Sequence, residues 1–243
     1  MIRLLFCVLV WTVCAIPTAL LGFSSLYLTG RVDLLWNLSL WAAGAGYRCA
    51  GIQVRAVGRE QLEDGRAYLF MPNHVSNLDP PIIAPLLRRR ICIIAKHQLF
   101  KIPLFGRAMN ALDFVSVDRS NSKAAVEAVR RAVHVLQSGR SMLIFPEGTR
   151  SRDGRLLPFK KGPFQLAMDA GVPVVPITIA GSYEAWPKGR MSLRAGEVAV
   201  YFHQPIDPQQ FERKEELLAA VRAAIQSALP VDGDQSTGEP ASR

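Results

Sequence analysis

A short apolar run ends at Met71, and the residues that follow it, Asn73-His74-Val75-Ser76-Asn77-Leu78-Asp79, offer the first chemistry. An imidazole can take a proton from a hydroxyl. It does so best when a carboxylate holds the far ring nitrogen and fixes the tautomer. The four residues between His74 and Asp79 are few enough for a tight loop to fold the carboxylate back onto the ring. Asp79 has a second reading, because it precedes Pro80-Pro81. An acid followed by proline is the pattern of a helix N-cap with Pro at the first helical position. Both roles are compatible only if the two carboxylate oxygens divide the work.

Two further strings carry charge at predicted strand ends, where α/β sheets bind ligands. In Phe145-Pro146-Glu147-Gly148-Thr149-Arg150-Ser151, Pro and Gly shape a turn, Arg150 offers an anion fork and Glu147 a hydroxyl acceptor. In Phe114-Val115-Ser116-Val117-Asp118-Arg119-Ser120, Arg119 could clamp a phosphate bidentately or pair with a neighbouring acid. Lys96, Lys160 and Lys161 are basic residues at element boundaries. The apolar string Val172-Pro173-Val174-Val175-Pro176-Ile177 reads as core. His97, His134 and His203 have no partner pattern, and Arg88-Arg89-Arg90 reads as a solvated patch or a contact for lipid phosphates. G-x-S-x-G, P-loop, H-E-x-x-H and dinucleotide-binding patterns do not occur, which removes support for serine-nucleophile, ATP, zinc and NAD chemistry.

The elements that must position these groups alternate between strand and helix. Short apolar runs at 52–57, 67–71, 91–95, 114–117, 142–145, 174–180 and 198–202 predict strands. Helices are predicted after Pro80-Pro81, near 99–111, at 121–138 with a Val126, Val129, Val133, Leu136 stripe, at 163–170, and at 212–229 with Leu217, Leu218, Val221 and Ile225 inward. This alternation argues an α/β fold, with a central mostly parallel or mixed sheet flanked by helices. Residues 230–243 lack apolar residues after Val231 and read as a disordered tail.

The N-terminus has a different character. Leu4 to Leu28 is a run of 25 residues without charge, bounded by Arg3 and Arg31. About 20 apolar residues suffice to span a bilayer. A cleaved signal peptide would be shorter and would end in a small-x-small site. Pro17, Gly22 and Ser24-Ser25 leave open a bend or re-entry. A second, softer helix follows over 32–47, so residues 1–50 read as a membrane anchor of one or two helices and 51–229 as the body.

The chain has 243 residues, 29 Lys+Arg against 20 Asp+Glu, and a net charge of +9. One domain plus an anchor fits this length, and the basic balance points to an anionic partner. Four cysteines without a C-x-x-C pair argue against a disulfide scaffold or a structural zinc site.

Taken in order, N-H-x4-D, K-x-x-L-F-x-I-P-x-x-G (Lys96 to Gly106), F-V-x-V-D-R, F-P-E-G-T-R-S and V-P-V-V-P occur once each. Over residues 50–205 this set resembles the glycerolipid acyltransferase family, including its bacterial 1-acylglycerol-3-phosphate members. Gln98 departs from the acidic residue found in many relatives. The resemblance implies acyl transfer from a thioester, on coenzyme A or acyl carrier protein, to the 2-hydroxyl of lysophosphatidate, giving phosphatidate. His74 would be the general base and Asp79 its orienting acid. Lys96, Arg119 and Arg150 would hold the acceptor phosphate, and Glu147, Gly148 and Thr149 would shape the rest of the acceptor site. No metal or other cofactor and no nucleic acid is implied. The expected location is the cell inner membrane, with the body on the cytoplasmic face among membrane lipids. The acceptor stays open: glycerol 3-phosphate, another lysophospholipid or a lyso-aminolipid would suit the same chemistry. A catalytically idle lipid-binding protein is the alternative from another class.

Overall fold

The computed structural model describes residues 1–117 and 122–230. The expected Arg119 and the tail beyond residue 230 lie outside the described residues. The chain opens with two helices, α1 (Ile2–Thr29) and α2 (Asp33–Cys49). α1 runs unbroken through Pro17, Gly22 and the Ser24-Ser25 pair, and ends at Gly30, whose φ of 69° suits a residue without Cβ. The two helices form an antiparallel hairpin in which a methyl group at Gly22 would collide with Leu35, and one at Gly46 with Trp11.

The body follows as β1 (Ile52–Val57), β2 (Leu69–Pro72), α3 (Asp79–Leu86), β3 (Ile91–Lys96), α4 (Phe105–Ala111), β4 (Val115–Val117), α5 (Ser122–Gln137), β5 (Ser141–Leu143), α6 (Lys161–Ala170), β6 (Val174–Ala180), α7 (Ser182–Ala185), β7 (Gly196–Phe202) and α8 (Lys214–Gln226). The seven strands form one sheet in the order β1-β7-β6-β2-β5-β3-β4. All neighbours pair in parallel except β6 and β7, so β1 and β7 run against the other five. The sheet is mixed, and the expected α/β architecture holds.

β2 shows why the middle of the sheet has two cores. Its residues alternate between faces, and all four are buried because helices cover both sides. Tyr68 and Phe70 join Ile82, Ile83, Val175 and Ile177 on one face. Leu69 and Met71 join Met142, Val174, Phe164, Leu217, Val221 and Ile225 on the other. Leu217, Val221 and Ile225 are spaced i, i+4, i+8, the spacing that brings one helical face to the sheet.

The anchor is not separate from this core. Leu4, Cys7, Trp36 and Tyr47 belong to the same buried cluster as Tyr68 and Phe70. Arg3 Nη1 donates to the Ala50 carbonyl at 3.1 Å, which ties the start of α1 to the entry of β1. The remainder of α1 presents Val13, Ile16, Leu20, Leu21 and Leu28 outward. With a mean hydropathy of 2.4, α1 is long and apolar enough to cross a membrane.

Two expectations need correction. Residues 99–111 do not form a single helix: a 3-10 turn over His97–Lys101 is followed by Ile102-Pro103 and then by α4. Pro103 lacks the N–H a continuous helix needs. In α5 the buried positions are Ala128, Ala132, Val135 and Leu136, while Val129 and Val133 lie half-buried to the side. Alanine lets the helix axis approach the sheet, so the small residues take the centre and the valines flank it. Val126 is among the residues whose side chains are not described.

Candidate active site

The five co-directional strands bring their C-terminal ends to one edge. β2 delivers His74, β3 ends on Lys96, β5 leads into Glu147–Arg150, and β6 leads into Ser182 and Lys188. The β2 exit is fastened first. Asn73 is 1% exposed; its Nδ2 donates to the Ile179 carbonyl at 3.0 Å and its Oδ1 accepts from Ile179 N at 2.7 Å. The side chain thus continues the β2–β6 ladder past the last strand residue and fixes where His74 begins.

His74 is held on three sides. Its backbone N–H donates to Glu147 Oε1 at 2.7 Å, and its carbonyl accepts from Ser151 N at 2.9 Å. Its ring stacks on Phe145, with centroids 3.9 Å apart and planes at 24°. Nδ1 lies 2.7 Å from Asp79 Oδ2. That oxygen also accepts from Val75 N and Ser76 N, each at 2.8 Å. A carboxylate oxygen facing three nitrogens has only lone pairs to offer, so Nδ1 carries its hydrogen and donates. Nε2 is left as the basic nitrogen.

Asp79 does not cap α3. The helix begins at Asp79 itself, no side-chain cap bond is made, and Oδ2 turns back toward the loop. Oδ1 accepts from Ser182 Oγ at 2.7 Å. Asp79 is fully buried. A buried carboxylate is tolerable only with its lone pairs satisfied, and four donors do this. Ser76 Oγ donates to the Trp186 carbonyl at 2.8 Å, joining the His74–Asp79 loop to the segment after β6.

Glu147 was expected to shape the acceptor site. The structure turns it inward: it is 1% exposed, and its oxygens accept from His74 N at 2.7 Å and Leu157 N at 2.9 Å. Burial pushes its carboxyl up to about 7, although the two N–H donors pull the other way. It braces the His74 backbone from behind. Gly148 closes the Phe145–Gly148 turn with an N–H to Phe145 O bond of 3.0 Å at a φ of 72°, where a Cβ would be strained.

The basic groups gather on the outer side. Arg150 is half-buried, and its Nη1 donates to Asn77 Oδ1. Lys188 Nζ donates to Thr149 Oγ1 at 3.1 Å and to the Arg150 carbonyl at 3.0 Å. Desolvation, and then the charges of Arg152, Arg150 and Lys96, lower the Lys188 pKa below the usual lysine value. Lys96 and Arg150, expected at an anion site, therefore share one positive field with Lys188 and Arg152. Lys161 pairs instead with Glu215 at 2.9 Å, while Lys160 is tied by its backbone N–H to the Pro146 carbonyl at 2.8 Å.

Ser182 and Lys188 escaped sequence reasoning. The signal for Ser182 was a hydroxyl two residues beyond the largely apolar β6, together with the unmet need of Asp79 for a second donor. For Lys188 nothing in the local sequence marked it. α1 also reaches this edge, since Trp11 stacks on Trp186 with centroids 6.4 Å apart at 29°.

A loop-borne imidazole, oriented by a buried carboxylate beside a cationic field, is the equipment for taking a proton from the hydroxyl of an anionic acceptor. The acyltransferase family model matches residues 53–180. The chain is 30% identical over 195 residues to the 1-acyl-sn-glycerol-3-phosphate acyltransferase of Borreliella burgdorferi, covering 79% of this chain and 75% of that protein. The protein of the same name from Limnanthes douglasii is 35% identical over 158 residues, covering 65% of this chain and 56% of that protein. The chain thus spans about half the length of the plant relatives it matches. The crystal structure of the 1-acyl-sn-glycerophosphate (LPA) acyltransferase PlsC from Thermotoga maritima superposes with a TM-score of 0.84 at 29% identity, covering 93% of this chain and 92% of that one. The order of strands and helices, the His74–Asp79 pair at the strand ends and these matches along the body agree, and the chain belongs to the acyltransferase family.

Proposed function

We propose that the protein transfers a fatty acyl group from a thioester, on coenzyme A or acyl carrier protein, to the 2-hydroxyl of lysophosphatidate, yielding phosphatidate. The observation that carries this reading is the His74–Asp79 pair, with Nδ1 committed at 2.7 Å and Nε2 left basic. Nε2 takes the hydroxyl proton as the acceptor oxygen attacks the thioester carbonyl. The new C–O bond forms while the carbonyl electrons move to oxygen. Collapse of that tetrahedral intermediate breaks the C–S bond, and the imidazolium returns its proton to the leaving thiolate. Asp79 stabilises the transient imidazolium. Arg150 and Lys96 hold the acceptor phosphate as charge-assisted donors, Arg119 supplies a further fork, and Gly148 and Thr149 shape the turn beneath it. The thioester is a co-substrate, and the reaction as written uses no metal or resident cofactor.

Support for lysophosphatidate as acceptor comes from the cationic field of Arg150, Arg152, Lys96 and Lys188 and from the activity for which the relatives are named. The apolar α1 supports a location at a membrane; the inner membrane, with the site on the cytoplasmic face, is the location proposed. The test uses purified protein in detergent with labelled acyl-CoA. Lysophosphatidate should be acylated far faster than a monoacylglycerol lacking the phosphate. Equal rates would remove the proposed acceptor, and preference for another headgroup would replace it.

A further inference from the structure

Downstream of α2, six large apolar side chains are exposed among the described residues: Val57, Leu99, Ile102, Leu104, Phe105 and Met191. Four of the six fall within residues 99–105, the turn between β3 and α4. A cluster of this kind on a soluble surface marks a contact.

The turn is built to hold these side chains out. Ile102 N donates to Leu99 O at 3.3 Å, Gly106 N to Ile102 O at 2.7 Å, and Ala108 N to Leu104 O at 2.9 Å. Leu104 sits at φ 63°, a conformation leucine rarely takes, while its side chain is 53% exposed. Gly106 packs so tightly on the Phe100 backbone that a Cβ there would collide with it. A strained, closed turn that keeps its apolar residues in solvent is a presented surface.

Its charge and position narrow the occupant. Between Asp79 and Asp113 there is no acidic residue, and six residues are basic, among them Lys101 within the turn and Arg107 just after it, both exposed. The turn leaves β3 at the strand end that bears the site. The α1–α2 hairpin reaches the same side of the molecule: Trp11 stacks on Trp186 beside the site, and Trp36 meets Phe114, just after α4, edge-on at 6.5 Å. The exposed apolar face of α1 and this turn therefore lie on connected ground.

We propose that residues 99–105 form a second lipid-inserting surface that enters the leaflet held by the α1–α2 hairpin, with Lys101 and Arg107 on anionic headgroup phosphates. The proposal rests on the reading of the hairpin as a membrane anchor. Two attachment points, one on each side of the Trp36–Phe114 contact, fix the tilt of the body so that the strand-end site faces the lipid.

The test uses the full chain in vesicles of phosphatidylglycerol and phosphatidylethanolamine. In a Cys49→Ser background, an environment-sensitive dye is placed at Ile102→Cys or Phe105→Cys. Leu20→Cys on α1 is the lipid control and Gln226→Cys on α8 the water control. Lipids carrying a nitroxide on the acyl chain should quench positions 102, 105 and 20 by about twofold or more and leave 226 unchanged. Lys101→Gln with Arg107→Gln should reduce quenching at 105 but not at 20. Quenching at 20 with none at 102 or 105 overturns the proposal and leaves the anchor standing. No quenching at any of the three overturns both. Protection of 105 from aqueous iodide without lipid quenching, together with a doubled particle mass, would assign the turn to a second copy of this chain and also overturn it.

Discussion

Asp79→Asn separates charge from geometry in an unusual way here. In a simple acid–histidine pair the asparagine amide can turn its NH2 toward the ring and enforce the wrong tautomer, at a cost of about 10⁴ in kcat. In this protein Oδ2 faces Val75 N and Ser76 N as well as His74 Nδ1. An NH2 placed there would confront two backbone donors that cannot move. The asparagine oxygen must therefore occupy that position, and its NH2 must face Ser182 Oγ, which can rotate to accept. Nδ1 keeps its hydrogen and Nε2 stays basic. What is lost is the charge opposite the imidazolium, turning a charge-assisted hydrogen bond into a neutral one. That difference is about 1–1.5 kcal/mol, or roughly 5- to 13-fold in kcat. Asp79→Ala instead leaves several buried donors without an acceptor, at about 1–3 kcal/mol each, and should compromise folding. The assay is initial-rate acyl transfer in detergent with a melting curve for each variant. A folded Asp79→Asn protein that loses about 10⁴-fold would refute the enforced orientation. Activity within twofold of wild type would refute imidazolium stabilisation by Asp79.

Other consequences follow from the same contacts. Ser182→Ala removes the single donor to Asp79 Oδ1 among the described residues, so it should lower stability by about 1.5–3 kcal/mol and reduce turnover, and an unchanged melting temperature would contradict the bond. Glu147 has its carboxyl raised to about 7 in the fold, so the native state holds the proton more tightly than the unfolded chain. Stability from this group should therefore fall as pH rises from about 4.5 to 7; Glu147→Gln should lack that slope, and parallel melting profiles for the two proteins across this window would count against the assignment. Arg150→Ala and Lys188→Ala should each lower kcat/KM for lysophosphatidate, the former by about 10- to 150-fold, while sparing residual activity on a phosphate-free acceptor; proportional losses on both acceptors would return these residues to loop-holding roles.

How far the sequence carries depends on the distance over which each feature is decided. The strands were legible because continuous apolar runs such as 174–180 can be buried on both faces only in a covered sheet. The His74–Asp79 pair was legible because it is local, five residues apart. The inward turn of Glu147 was not, since one of its two backbone-amide partners, at position 74, is brought to it by the pairing of β2 with β5, and the other, at 157, by the fold of the loop that follows. Ser182 and Lys188 lie 103 and 38 residues from their partners Asp79 and Arg150, and no local pattern reports such meetings. The α5 stripe was misplaced because valine outranks alanine in hydrophobicity, whereas contact with the sheet selects for small size.

The claim that His74 Nε2 is the base of an acyl transfer is tested most directly by the single-turnover rate of thioester-to-hydroxyl transfer in His74→Ala, measured beside the melting temperature and membrane retention of the same protein. Loss of the base costs about 10²–10⁴-fold. His74 is a loop residue held through its backbone bonds to Glu147 and Ser151, which alanine keeps, so the fold and membrane retention should survive. A folded, membrane-retained variant that has lost acylation by at least 100-fold agrees with the mechanism. A folded variant that acylates lysophosphatidate within a few-fold of wild type contradicts it, whatever the family resemblance.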